Sequence, residues 1–159
     1  MKNQQWSLLV LLLAILISSC GGNSSSQTGE TTTPPKPMVA EEEPEETDPM
    51  KNKGIGPISS VELGEIDEAM VAEGKKIYEQ MCTACHKIDK KYIGPSPKGI
   101  LSRRSPEWIM NMILNPVEMI EKDPIARQLL AEANGAPMAN QGLTEEQARQ
   151  ILEYFRTLE

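Results

Sequence analysis

Cys82-Thr83-Ala84-Cys85-His86 constrains this chain more than any other stretch, because His86 is its only histidine. Two thiols in C-x-x-C spacing followed at once by an imidazole form the arrangement through which haem is attached covalently. Each sulfur adds across a vinyl group, and the histidine ring then stands beneath the iron as an axial ligand. With no second histidine, a bis-histidine haem and a two-histidine zinc site are both excluded within one chain. The other face of the iron takes a different residue type, or nothing.

Three other readings of the motif stand beside haem. A thioredoxin-like redox pair requires a βαβ surround, whereas the flanks here read as helix and loop. A structural zinc site requires two more ligands, and the remaining cysteine, Cys20, lies in a targeting segment. The third reading is an incidental buried pair of cysteines.

Residues 1–19 read as a lipoprotein signal. Lys2 gives a positive start, Leu8 to Ile17 an apolar core, and Ile17-Ser18-Ser19-Cys20 resembles a lipobox whose cysteine is lipidated. The apolar run is about ten residues, half of what a membrane-spanning helix needs. Export agrees with the motif, since c-type haem is attached outside the cytoplasm. The cysteines then divide without remainder, Cys20 to lipid and Cys82 and Cys85 to haem, and no disulfide is expected.

Residues 20–62 read as a disordered linker. Thr31-Thr32-Thr33-Pro34-Pro35-Lys36-Pro37 and the acidic run from Glu41 to Asp48 hold too little apolar surface to fold. A flexible coil of about 40 residues has an end-to-end distance on the order of 35 Å. Charge follows the same division. Residues 21–65 carry nine acids and three lysines, a balance of −6, while residues 66–159 carry fourteen acids and twelve basic residues. Acidity of this kind belongs to a tether and excludes a nucleic-acid-binding reading.

Residues 63–159 form the expected domain, with only five aromatic residues for its core. So small a domain buries a modest fraction of its surface, and a haem supplies a large apolar plate for short helices to pack around. Met70, Gly74, Ile77, Tyr78 and Met81 fall on one face of a helix starting near Asp67. Ser105-Pro106-Glu107 opens a second helix that runs to about Leu114, before Pro116. Asp123-Pro124 opens a third, terminated at Asn134-Gly135. Thr144-Glu145-Glu146-Gln147 is a capping box for the last helix, whose stripe is Ala148, Ile151, Leu152, Phe155 and Leu158. The fold class is all-α, with four to five short helices around one covalently bound haem.

Among the downstream methionines, Met112 shares a helical face with Ile109 and Ile113, which reads as core packing. Met110 and Met119 read as helix or helix-end residues filling gaps. Met138, in Gly135-Ala136-Pro137-Met138-Ala139-Asn140, belongs to no helical stripe and sits in a loop from which it can reach the iron opposite His86.

In this order the landmarks resemble a class I cytochrome c: a helix with Gly74 and Tyr78, Cys82-x-x-Cys85-His86, Gly94-Pro95, a methionine loop, and a closing helix with Tyr154-Phe155. The resemblance covers everything after the linker. It implies the cytochrome c fold, a single haem c, and Met138 as the sixth ligand, although Ala139 stands where the family often has proline. It implies that the first and last helices cross, Gly74 meeting the Tyr154/Phe155 region, and that the Pro95 carbonyl accepts the other ring N–H of His86. Trp108, Arg103 and Arg104 are the candidates to hold the haem propionates, with core packing (Trp108) and a solvated face (the arginines) as the plain alternatives.

His/Met ligation raises the reduction potential relative to bis-histidine haem and leaves no open position for substrate. The expectation is an electron carrier, not an enzyme, and a monomer. It is anchored to a membrane through lipidated Cys20, in the outer membrane facing the periplasm, and exchanges electrons with a membrane-bound donor and redox protein partners. A fixed subunit of a respiratory complex and a gas-binding or catalytic haem are the alternatives. The Arg103-to-Trp108 and Gly135-to-Met138 stretches are similar to cytochromes accompanying nitrous oxide reduction, and a terminal oxidase is an equal candidate acceptor. Between Lys87 and Arg104 there are six basic residues and one acid, Asp89. These residues form either a positive rim that steers an acidic partner or a solvated loop.

Overall fold

A computed structural model describes residues 48–159. The expected signal segment, Cys20 and the linker up to residue 47 lie outside the described residues. The order is α1 (Glu68–Met81), a 3₁₀ turn (Ile100–Ser102), α2 (Pro106–Leu114), α3 (Pro116–Lys122), α4 (Pro124–Glu132) and α5 (Glu145–Phe155), with no strand among the described residues. The all-α expectation holds.

Four helices begin where their caps predict. Asp67 accepts from the amides of Ala69 and Met70 at 2.9 and 3.1 Å, Ser105 from Trp108 at 3.1 Å, and Asp123 from Ala126 at 2.8 Å. Thr144 and Gln147 complete the reciprocal capping box of α5. Asn134 (φ 55°) and Gly135 (φ 78°) end α4 in the left-handed region. The sequence reading missed α3. Pro116 stops α2 by lacking an N–H, yet it equally suits the first turn of a new helix. Asn115 leaves the helical region (φ −134°, ψ 49°) and the chain restarts at once.

α1 and α5 cross at the core. A methyl on Gly74 would overlap the Gln150 carbonyl, so only glycine admits this approach. That gain offsets the roughly 1 kcal/mol that glycine costs inside a helix relative to alanine. The contact falls one turn earlier on α5 than expected. Gly74 meets the backbone of Gln150 and Ile151, and Tyr78 instead takes the aromatics, its ring 5.7 Å from both Tyr154 and Phe155. Ile109, Met119, Ile151 and Leu152 are fully buried in the core, each contributing about 1.5–3 kcal/mol.

The linker boundary at residue 62 requires correction. Residues 52–61 are seated on α2 and α3 by specific bonds. Asn111, itself buried, donates to the carbonyls of Lys53 and Ile58 at 2.9 Å each and accepts from the Ile58 amide. Asn115 donates to the Ile55 carbonyl, and Ile58 joins the core. Side-chain amides, not apolar periodicity, hold this strap, so its polar composition reads as linker.

Candidate functional site

Proline and glycine shape the loop after α1. The Cys85 and His86 amides both donate to the Cys82 carbonyl, at 3.1 and 2.9 Å, which continues the helix as a tight turn. The Gly94 amide returns to the Cys85 carbonyl at 2.9 Å. A Cβ on Gly94 would overlap His86 Cε1 and lie 2.8 Å from both ring nitrogens. Backbone therefore lies flat against imidazole, which only glycine permits.

His86 Nδ1 lies 2.8 Å from the Pro95 carbonyl. A carbonyl only accepts, so Nδ1 carries a proton, and in the neutral ring Nε2 is then the nitrogen left to ligate a metal. Cys82 is half-buried and Cys85 exposed. Burial, with Cys85 nearby, pushes the Cys82 thiol up to about 11. A redox dithiol needs an acidified sulfur, so this environment opposes the thioredoxin-like reading. No cluster of three or more His, Cys, Asp or Glu residues suited to a metal ion occurs among the described residues, which leaves zinc unsupported there.

A cavity of about 230 Å³, mostly apolar, opens beside this turn. Cys82, Cys85, His86 and Pro95 line it, and so do Ala136, Pro137, Met138 and Ala139. Arg103, Arg104 and Trp108 also reach its wall. All eight residues singled out for cofactor binding thus meet at one place. Met112, read from its helical face as core packing, lines the cavity too, as do Leu129, Leu130 and Ala133 of the α4 region. Their signal lay in the apolar faces of α2 and α4, which periodicity cannot divide between protein core and cofactor.

The polar contacts separate the three propionate candidates. The Trp108 indole N–H donates to Asp123 Oδ1 at 3.2 Å, so it is engaged away from the cavity, and the ring itself forms wall. The plain alternative for Trp108, core packing, agrees with that bond. Arg103 donates to the carbonyls of Ser96 and Lys98 at 3.1 and 3.0 Å, pinning the loop that carries Pro95. Arg104 stacks 5.4 Å from the Trp108 ring centroid. Burial lowers its pKa from the ordinary value, with Arg103 adding to that and Asp123 and Glu132 opposing it.

Two buried side-chain atoms among the described residues have no partner, Arg104 Nε and the Tyr78 hydroxyl, and both residues line the cavity. Burial, then Cys82 and Tyr154, push the Tyr78 phenol up to about 12, so it stays a neutral donor. An apolar slot with two orphaned polar groups, two thiols and a lone-pair imidazole nitrogen fits a haem with acidic substituents.

The family model for cytochrome c matches residues 71–159. Among solved structures, the chain is similar to a cytochrome c from Rhodothermus marinus at 45% identity and a TM-score of 0.63, covering 65% of this chain and 89% of that one. It is similar at 44% identity and a TM-score of 0.62 to an engineered cytochrome c from the same organism, Rma TDE, covering 65% and 90%. With that engineered protein bound to a carbene intermediate, the values are 45%, 0.60, 65% and 89%. No curated protein matches.

Proposed function

The chain belongs to the cytochrome c family, and from that premise we propose a membrane-tethered carrier that passes single electrons between respiratory partners outside the cytoplasm. It is a monohaem electron-transfer cytochrome with covalently bound haem c. One observation carries the finer reading: Pro95 fixes His86 in the tautomer that offers Nε2, on the cavity that Met138 also lines.

When bound, the haem supplies a one-electron Fe(III)/Fe(II) couple. Cys82 and Cys85 would hold it by two thioethers, and His86 through Nε2 and Met138 through its thioether sulfur would ligate the iron. A ligand set of that kind, kept in both oxidation states, would ask little rearrangement of the protein. The Tyr78 hydroxyl and Arg104 Nε are the groups we assign to its acidic edge. Lipidation at Cys20 and the tether behind it would confine the domain near a membrane-bound donor, raising its effective concentration there. An outer-membrane anchor facing the periplasm, a monomeric state, and an acceptor such as nitrous oxide reductase or a terminal oxidase complete the reading.

A second reading, an open sixth position, is favoured by one finding, the engineered relative bound to a carbene intermediate. Replacing Met138 separates the two. In Met138→Ala the low-spin ferric spectrum is expected to become high-spin, the methionine–iron band to vanish, and the reduced protein to bind CO. A wild-type protein that already binds CO readily, or a variant with an unchanged spectrum, removes Met138 as ligand and the carrier reading with it.

A further inference from the structure

Asp123 is a buried carboxylate that the haem chemistry above does not use. Its side chain is 3% exposed, and each oxygen has a defined partner. Oδ1 accepts from the Trp108 indole at 3.2 Å and caps the Ala126 amide at 2.8 Å, while Oδ2 accepts from Asn52 Nδ2 at 2.7 Å. Trp108 lines the haem cavity and carries the Arg104 guanidinium on its face. Asn52 lies on the strap, at the end where the chain arrives from the linker.

We propose that Asp123 is a positioning residue for electron transfer, through which the strap at residues 52–58 sets the haem environment. The series Asn52, Asp123, Trp108, Arg104 runs without a gap from strap to cavity wall. The strap also passes close to the indole and to Met119, whose sulfur would lie 2.8 Å from a Cβ on Gly54. Gly54 has φ +70°, and a Cβ there would lie 3.2 Å from Trp108 Cδ1, beside the indole nitrogen. Ser105 joins the two by a second route, donating to the Asn52 carbonyl at 2.6 Å while capping the Trp108 amide. Strap and Trp108 are therefore joined twice, to the indole through Asp123 and to the backbone through Ser105, and the Asp123 carboxylate stands behind the wall.

The consequence concerns both charge and geometry. A buried anion behind the indole favours the more positive, oxidised iron, because low-dielectric surroundings screen it weakly. It also holds the indole against rotation, so the Arg104 guanidinium keeps its place over the ring. Loss of the charge is expected to raise the reduction potential, and loss of the strap contact to loosen Trp108.

The test uses the full-chain holoprotein, and the inference rests on the haem occupying this cavity between His86 and Met138. Redox titration of Asp123→Asn is expected to give at least a threefold rise in the ratio of reduced to oxidised protein at a fixed solution potential. The methionine–iron band should persist. Loss of that band with an unchanged potential would overturn the proposed role as well. Should Asp123→Asn fail to fold, the exchange Asn52→Asp/Asp123→Asn restores a donor–acceptor pair with the charge moved to the strap, and the potential should rise in it too. Asn52→Ala is expected to accelerate hydrogen exchange at the Trp108 indole N–H at least tenfold in both oxidation states. A potential unchanged in both charge-moving variants, or indole exchange unchanged in Asn52→Ala, would overturn the proposal. A protein whose wild-type spectrum lacks His/Met ligation while these shifts persist would instead fault the ligand assignment and leave Asp123 in its role.

Discussion

One methyl group at position 94 measures how tightly the ligand histidine is held. Gly94→Ala places a Cβ against the His86 ring, and the ring can yield only by lengthening its 2.8 Å bond to Pro95. Overpacking of this kind costs about 1–3 kcal/mol, here concentrated on an iron ligand. The expected outcome is a lower thermal midpoint of the holoprotein together with a weakened low-spin spectrum. Gly64→Ala is the control, since nothing lies within 4 Å of a Cβ there, and it should leave both unchanged. Equal losses in the two variants would mean that the imidazole has room to move. The residues proposed to hold the haem iron were legible because their setting is rare. A lone histidine after two cysteines, and a methionine outside every helical stripe, stand out in any sequence. Gly94 and Asp123 did not, because glycine and aspartate have many ordinary uses and only the fold shows what they face.

Caps made four of the five helices legible, since each is a local bargain between one side chain and one or two amides. α3 was hidden by a proline that serves equally to end one helix and begin the next. The stripe of α5 was read correctly but incompletely. Glu153 lies off it, yet it is fully buried, paired with Arg149 and, at 2.6 Å, with Arg156. Its Oε1 also accepts the Asp67 amide at 3.0 Å, so it fastens the start of α1 to α5. Apolar periodicity has no means of announcing a charged residue buried off the stripe, and one of its partners, the Asp67 amide, lies on another element. Burial pushes this carboxyl upward, yet Arg149, the Asp67 amide and Arg156 outweigh burial and hold it below its ordinary value. A depressed folded-state pKa stabilises the protein fully above the ordinary glutamate value and ceases to do so as the pH falls through the folded one. Glu153→Gln is therefore expected to cost about 3 kcal/mol at pH 7, the low end for breaking a buried pair. The gap to wild type should narrow below about pH 4. Denaturant unfolding of both proteins across that range checks it, and a gap that stays constant would assign the loss to packing.

The chain's net −7 does not describe the loop between Lys87 and Arg104, a candidate surface for a partner. Residues 66–159 are nearly balanced, and the basic residues gather on the loop between the haem-binding turn and α2. Some of them have local work. Lys91 donates to the Glu132 carbonyl at 2.6 Å, Lys98 stands 4.0 Å from Asp89, and Lys87 lies 5.2 Å from the Tyr92 ring centroid. Such exposed contacts do not cancel charge at a distance, because the carbonyl and the ring carry none and a surface ion pair contributes little. Beside them Ile93, 42% exposed, lines the cavity that takes the haem. A positive, partly apolar margin at the cofactor fits an acidic redox partner, and the long-range part of that attraction is screened by salt. Between ionic strengths of 0.01 and 0.15 M the Debye length falls from about 30 to about 8 Å. The bimolecular electron-transfer rate with an acidic acceptor should then fall on the order of tenfold, as steered association does. Lys90→Glu should lower the rate at low salt and flatten its salt dependence, while the rate with an uncharged small-molecule oxidant stays constant. A flat profile for the wild-type protein would mean that the margin is only a solvated loop and that the partner is recognised by other means.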